Sequence, residues 1–305
     1  MKFSNRRSPI VQIAFAALAG LAMYSSGDAL AQDPIPVSQL ASQTHFHGLA
    51  VDPNDSSRLF LATHHGLYAV GQDGVARRIS ETRNDFMGFT PHPADAGTLF
   101  ASGHPATGGN LGFLVSRDAG RTWTKLSDGA SGPVDFHQMD VSKADPKVIF
   151  GIFRGLQRSQ DGGRNWTMVG PAPEGIIDLA ASSRNVDTLY AATQRGILRS
   201  TDGGRSWGPA HTLVRPATLV RTTPAGEIYA FIVGSGLLRA REDGLGWVKV
   251  TDFGDAYVVH LAFDPLDTER IYAVTVDPKS QLPALLASND SGMNWHALGS
   301  EAGHH

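Results

Sequence analysis

All five tryptophans of this 305-residue chain close the same eight-residue phrase, so the sequence is a repeat and its architecture must be one that repeats build. The copies are Ser116-Arg-Asp118-Ala-Gly120-Arg-Thr-Trp123, Ser159-Gln-Asp161-Gly-Gly163-Arg-Asn-Trp166, Ser200-Thr-Asp202-Gly-Gly204-Arg-Ser-Trp207 and Ser288-Asn-Asp290-Ser-Gly292-Met-Asn-Trp295. A worn copy runs from Ala240 to Trp247, and an eroded one at Gly71-Gln-Asp73-Gly74 has Arg78 where the tryptophan would stand.

The pattern Ser-x-Asp-x-Gly-x-x-Trp resembles the Asp-box (BNR repeat) of sialidase-like and sortilin-like β-propellers. Its mechanics fit that likeness. Ser and Asp side chains can bond the backbone of a tight hairpin, Gly supplies a left-handed residue, and Trp folds back as an anchor. Asp118, Trp123, Asp161, Trp166, Asp202, Trp207, Asp290 and Trp295 are therefore read as structural pins. Phrase starts at 71, 116, 159, 200, 240 and 288 lie 40 to 48 residues apart, close to the ~40 to 50 of one four-stranded blade. The expected fold is an all-β propeller of six four-stranded blades, with seven as the alternative.

The first unit shows the grammar expected of each blade: strands A to D at His47 to Val51, Arg58 to Thr63, Gly66 to Val70 and Ala76 to Ser80, separated by turn residues. The segment Ile35-Pro36-Val37-Ser38 is expected to pair on the outside of the last blade and latch the ring, because an open ring would expose sheet edges. No helical periodicity is found beyond the leader.

Lys2, Arg6 and Arg7 precede an apolar run from Ile10 to Met23 and then Ala29-Leu30-Ala31, the signature of a cleaved export signal. The expected organisation is a signal peptide over 1–31, one propeller domain over 32–300 and a flexible tail over 301–305, in the periplasm or secreted, by the general or the twin-arginine route. Removing the leader takes the formal net charge from −3 to −5 and leaves no basic patch, which argues against a nucleic-acid partner. No membrane attachment is expected after cleavage. Cysteine is absent, so thiolates drop out of any metal-site argument and His, Met and carboxylates remain.

Seven of the twelve histidines fall between positions 45 and 137, an asymmetry the repeat does not require. Aligning strand A across blades sets His45-Phe46-His47 over Asp85-Phe86-Met87 and Asp135-Phe136-His137, so one slot holds His47, Met87 and His137. In blades four to six it holds Ile177, Leu219 and Val259. Strand B likewise aligns His64 with His104. The start of A and the end of B share one edge of an antiparallel meander, so these residues are expected around the channel mouth, with the Asp-boxes on the opposite face. His45, His65 and Met139 lie nearby in sequence. An imidazole and thioether set in an exported chain suits copper better than magnesium or calcium, with Asp85 and Asp135 as carboxylates that orient the imidazoles. His260, near the channel end of the last strand A, is assigned a core or surface role.

The His45-x-His47-Gly motif, with Ala62-Thr-His64-His65-Gly-Leu, is similar to exported bacterial Asp-box propellers labelled glycosylhydrolase-like. That resemblance implies a hydrolase, of sialidase-like type if catalytic. The sialidase likeness further implies an arginine triad, for which Arg154, Arg195 and Arg221 qualify by position, and a Tyr nucleophile, for which Tyr257 stands at the rim. No Phe-Arg-Ile-Pro segment precedes the first blade. A third reading is a non-catalytic adaptor similar to photosystem assembly factors and sortilin-like receptors, taking a protein partner on the channel-mouth face. The leading expectation remains a metal ion or small polar ligand at the histidines.

Overall fold

The structure, a computed structural model, describes residues 33–299; the signal-peptide and tail calls fall outside these. Six antiparallel sheets follow one another along the chain, each a meander in sequence order. Their inner strands are Phe46–Asp52, Asp85–Pro91, Gln138–Val141, Ile176–Ala181, Ala217–Thr222 and Tyr257–Phe263. Each touches the next and the last touches the first, so the chain is a closed six-bladed β-propeller.

The apolar residues divide into six clusters, one at each seam between neighbouring blades. Phe60, Ala62 and Leu67 of blade one meet Phe86, Leu99 and Leu114 of blade two, and Phe100 and Phe113 of blade two meet Phe136, Val141 and Trp166 of blade three. Corresponding groups fill the seams three to four, four to five, five to six and six to one. The strands are buried on both faces, which is why they read as near-continuous apolar runs such as Leu189–Thr193.

Four repeated phrases close as hairpins with one hydrogen-bond pattern. In blade three, Ser159 Oγ donates to Asp161 Oδ1 at 2.9 Å and accepts from Gly163 N at 2.8 Å. Asp161 Oδ1 accepts Asn165 N at 2.8 Å, and Trp166 Nε1 donates to Gly163 O at 3.1 Å. The glycine has a second duty. At Gly163 the backbone is left-handed, φ 87°, and an added Cβ would lie 2.0 Å from Phe113 Cε1 of blade two. The phrase is thus a pin between blades as well as a staple within one. In the worn copy, Trp247 Nε1 donates instead to Ala210 O of the preceding blade, at 2.8 Å.

Ring closure departs from expectation. Ile35–Pro36 pairs with Val75 and Ala76 on the outer edge of the first blade, not the last, giving that sheet a fifth strand. A short helix, Val37–Ala41, follows and buries Val37, Leu40 and Ala41 against Tyr272, Leu285, Ala287 and Leu298 of blade six. The entry segment therefore bridges both blades at the closing seam, by strand pairing on one side and apolar packing on the other. Gln72 Nε2 donates to Tyr272 Oη across the same seam, at 2.9 Å.

Candidate metal centre

Strand A of blade one is not regular. Phe46 pairs with Thr63 and Gly48 with Ala62, which leaves His47 as the extra residue of a β-bulge. A bulge breaks the in-and-out alternation and re-aims a side chain, and here the displaced residue is the histidine. The same shift falls at Ile177, Thr218 and Val259 in blades four to six. The register thus places Thr218, rather than Leu219, in the position equivalent to His47. In blade two the shift comes later, after Met87, which stays paired with Ser102.

His64 follows Thr63 at the end of strand B, in a hairpin that the threonine organises: Thr63 Oγ1 donates to Gly66 O at 2.9 Å and accepts His65 N at 3.0 Å. Blade four repeats this hairpin with Thr193, Gly196 and Arg195, where Gln194 occupies the position of His64. The scaffold is shared by blades one and four, and the side chains it carries, His64-His65 against Gln194-Arg195, distinguish blade one. Asp85 opens strand A of blade two, opposite His104. Gly103 permits this arrangement, because a Cβ there would lie 2.0 Å from Asp85 O.

These elements bring His45, His47, His64, Asp85, His104, Asp135 and His137 into one continuous chain of contacts. His64 Nδ1 lies 2.6 Å from Asp85 Oδ2 and 3.1 Å from His47 Nε2. His47 Nε2 is also 3.5 Å from Asp85 Oδ1, and His45 Nδ1 is 3.3 Å from His64 Nε2. One ring atom of His64 can carry a single proton, yet an imidazole nitrogen and a carboxylate oxygen both approach it. Donor atoms of His47, His64 and Asp85 all lie within 4.8 Å of one another, as ligands of one ion would. Asp85 Oδ1 is buried with no hydrogen-bond partner.

Further along, His104 Nε2 is 3.5 Å from Asp85 Oδ2 and its Nδ1 is 3.7 Å from Asp135 Oδ2. His137 Nε2 donates to Asp135 Oδ2 at 3.0 Å. Asp85 therefore sits among three imidazoles as their direct neighbour. Met139 lies apart from this chain of contacts: its side chain packs in the apolar seam with Phe136, Val141 and Ile149. Met87 is buried beside its Ser102 partner, and His65 is exposed at the margin, its ring 6.4 Å from that of His64.

Burial pushes the His47 imidazole down to about 3, outweighing the opposing pull of Asp85 and helped by His64, His260 and His45. His47 is thus a neutral base at neutral pH, the form that ligates metals. Burial would raise Asp85, but the His64 hydrogen bond, followed by the pull of the surrounding imidazoles where they are protonated, holds it below the usual carboxylate range. The hydrogen bond to Asp135 raises His137. His260, given a core or surface role from sequence, lines the same channel: its Nε2 lies 3.0 Å from Phe46 O, and burial followed by the charge of Arg221 lowers it to about 4. Its place in the bulged strand of the last blade, next to blade one once the ring closes, is the signal that could have found it.

Two of the arginines implied by the sialidase likeness have partners of their own. Arg221 is paired with Asp178, and Arg154 lies over the ring of Phe153. Tyr257 Oη reaches Gln281 at 3.5 Å.

No protein-family model matches the chain, and no curated protein is similar to it in sequence. Solved structures do resemble it in fold. The GH74 enzyme of Niastella koreensis is 17% identical with a TM-score of 0.55, over 83% of this chain and 45% of that one. An ancestral GH74 enzyme is 14% identical with a TM-score of 0.50, over 83% of this chain and 38% of that one. YCF48 from Cyanidioschyzon merolae is 16% identical with a TM-score of 0.48, over 83% and 85%. The chain spans less than half the length of the GH74 enzymes it resembles, and at these identities the likeness shows the propeller alone.

Proposed function

We propose that this chain is an exported propeller that binds a transition-metal ion, copper in its divalent state, at the channel mouth through His47, His64 and Asp85. The observation that carries the reading is the mutual approach of two imidazoles and a carboxylate within 4.8 Å, drawn from two blades, at a position where a bulge re-aims one of them. The three donors are nitrogen and oxygen. That set suits divalent borderline metals, and copper heads their affinity order. His45 and His104 flank the three donors and supply further imidazoles. Export rests on the leader read over 1–31, and amino-terminal sequencing of the exported protein is expected to begin at Gln32.

Titration of the purified protein with copper(II), with zinc(II) in competition, tests the reading. Saturable uptake is expected, with copper preferred. His64→Ala should weaken it by more than the ~10 to 100-fold that the loss of an outer partner typically causes. Uptake unchanged in a His47→Ala, His64→Ala double variant would end the proposal. The hydrolase alternative retains only the likeness of fold, and turnover of a glycoside panel independent of these histidines would favour it.

A further inference from the structure

Three donors do not fill a copper ion. We infer that the ion held by His47, His64 and Asp85 keeps a coordination position open to solvent, and that this position takes a small anion from outside, with His104 donating a hydrogen bond to it. The inference rests on the reading of those three residues as a metal centre and extends it from holding an ion to binding a ligand through that ion.

The number of donors comes first. Donors of one ion, each about 2.0 to 2.2 Å from it, lie within roughly 4.4 Å of one another. Among the described residues, His47, His64 and Asp85 are the group whose donor atoms meet a mutual limit of 4.8 Å, so His45 and His104 stand outside the sphere those three share. Copper(II) among nitrogen and oxygen donors prefers a square-planar or tetragonal arrangement, which needs at least ~4 of them. The remaining place belongs to a group the protein does not supply.

The two flanking imidazoles then have different work. His64 Nδ1 lies 2.6 Å from Asp85 Oδ2 and 3.1 Å from His47 Nε2, which makes it the ring atom placed to share an ion with both. With Nδ1 on the ion, Nε2 carries the proton and donates to His45 Nδ1 at 3.3 Å, a contact of the kind that fixes the ring of a metal-bound histidine. His45 is thereby engaged. His104 is not: its Nε2 is 3.5 Å from Asp85 Oδ2 and its Nδ1 is 3.7 Å from Asp135 Oδ2, both longer than an ordinary hydrogen bond. An imidazole that stands beside a metal-bound carboxylate without a firm partner is free to donate to whatever the ion binds.

Access and charge agree with this assignment. The side chains of His47 and Asp85 are 14% exposed and those of His64 and His104 are 38% exposed, so solvent reaches the centre beside His64 and His104. A dication bound by one carboxylate keeps about one unit of positive charge, which favours an anion over a neutral ligand.

Azide is the probe, because it gives copper(II) a charge-transfer absorption when it binds the ion directly. The full mature protein, loaded with one equivalent of copper(II), is titrated with sodium azide and followed by absorbance and electron paramagnetic resonance. A saturable new band and a shifted resonance are expected. His104→Ala should load with copper as the wild type does and bind azide at least about tenfold more weakly, the loss of one hydrogen bond to a charged group. Copper uptake without any response to azide overturns the open position and leaves the metal centre standing, whereas no copper uptake overturns both. Azide affinity unchanged in His104→Ala, or copper uptake lost in it, would remove His104 from beside the bound anion and overturn the inference.

Discussion

His64 Nδ1 lies 2.6 Å from Asp85 Oδ2, and this contact joins the end of strand B in blade one to the start of strand A in blade two. The candidate centre is therefore built across a seam, and its geometry depends on how two blades pack. Asp85→Asn keeps the shape of the side chain and removes its charge. Copper affinity should fall by at least about tenfold, while the unfolding midpoint of the metal-free protein stays near the wild-type value. Calorimetric titration and thermal melts of the same preparation check both halves.

Acid should loosen the metal-free fold. His47 and His260 titrate at about 3 and about 4 in the folded protein against an ordinary 6.5. Between those values the unfolded chain holds protons that the folded chain does not, so stability falls as pH drops below 6.5 and is insensitive to these groups above it. The two together should cost on the order of a few kcal/mol by pH 4. Urea midpoints from pH 7.5 to 4 should show the decline, and a His47→Gln, His260→Gln variant should flatten it.

The glycine of the repeated phrase is required on two grounds, its left-handed backbone and the proximity of Phe113. Gly163→Ala should destabilise by roughly 3 kcal/mol or more, from backbone strain and overpacking together. Gly208, which has open space around it, serves as the control, and Gly208→Ala should be close to neutral. Copper uptake should survive Gly163→Ala in whatever fraction folds, since the phrase and the histidines occupy opposite faces.

Within the channel, Asp178 accepts from Val220 N at 2.9 Å and pairs with Arg221, linking blades four and five. Burial raises Asp178 even against that arginine. Arg221→Met strands the carboxylate and should cost about 3 to 5 kcal/mol. Adding Asp178→Asn should recover much of the loss, which denaturant unfolding of the single and double variants will show.

Closure should be as sensitive as any seam. Leu40 is 1% exposed in the helix that packs on blade six. Leu40→Ala should remove about 2 to 4 kcal/mol by leaving a cavity there. A loss of that size with the ring otherwise unchanged, seen as a lowered melting temperature with retained far-ultraviolet signal, would confirm that the entry helix holds the last blade to the first.

Much of this molecule is legible without coordinates. Strand B of blade one, read from alternation and turn residues as Arg58 to Thr63, is observed as Asp55–Thr63, and Gly66 to Val70 as Gly66–Gly71. Such pairings are local, because each blade is a contiguous meander. The latch misled because its sequence, Ile35-Pro36, pairs equally well with any exposed edge. Only the docking of Val37 and Leu40 on blade six selects the outer edge of blade one.

The spacing of the Ser-x-Asp-x-Gly-x-x-Trp phrases by itself set the number of blades, because each hairpin is closed by hydrogen bonds among residues a few positions apart. Alignment of the repeats also picked out His47, His64, His104 and His137, since equivalent positions recur around a common axis. What only the tertiary structure decided is where those side chains go. A register shift turns His47, the close approach at Gly103 accommodates Asp85 beside His64, and the seam behind Phe136 takes Met139 into the core. These outcomes depend on packing between strands distant in the chain, to which a pattern of residue types along one strand is blind.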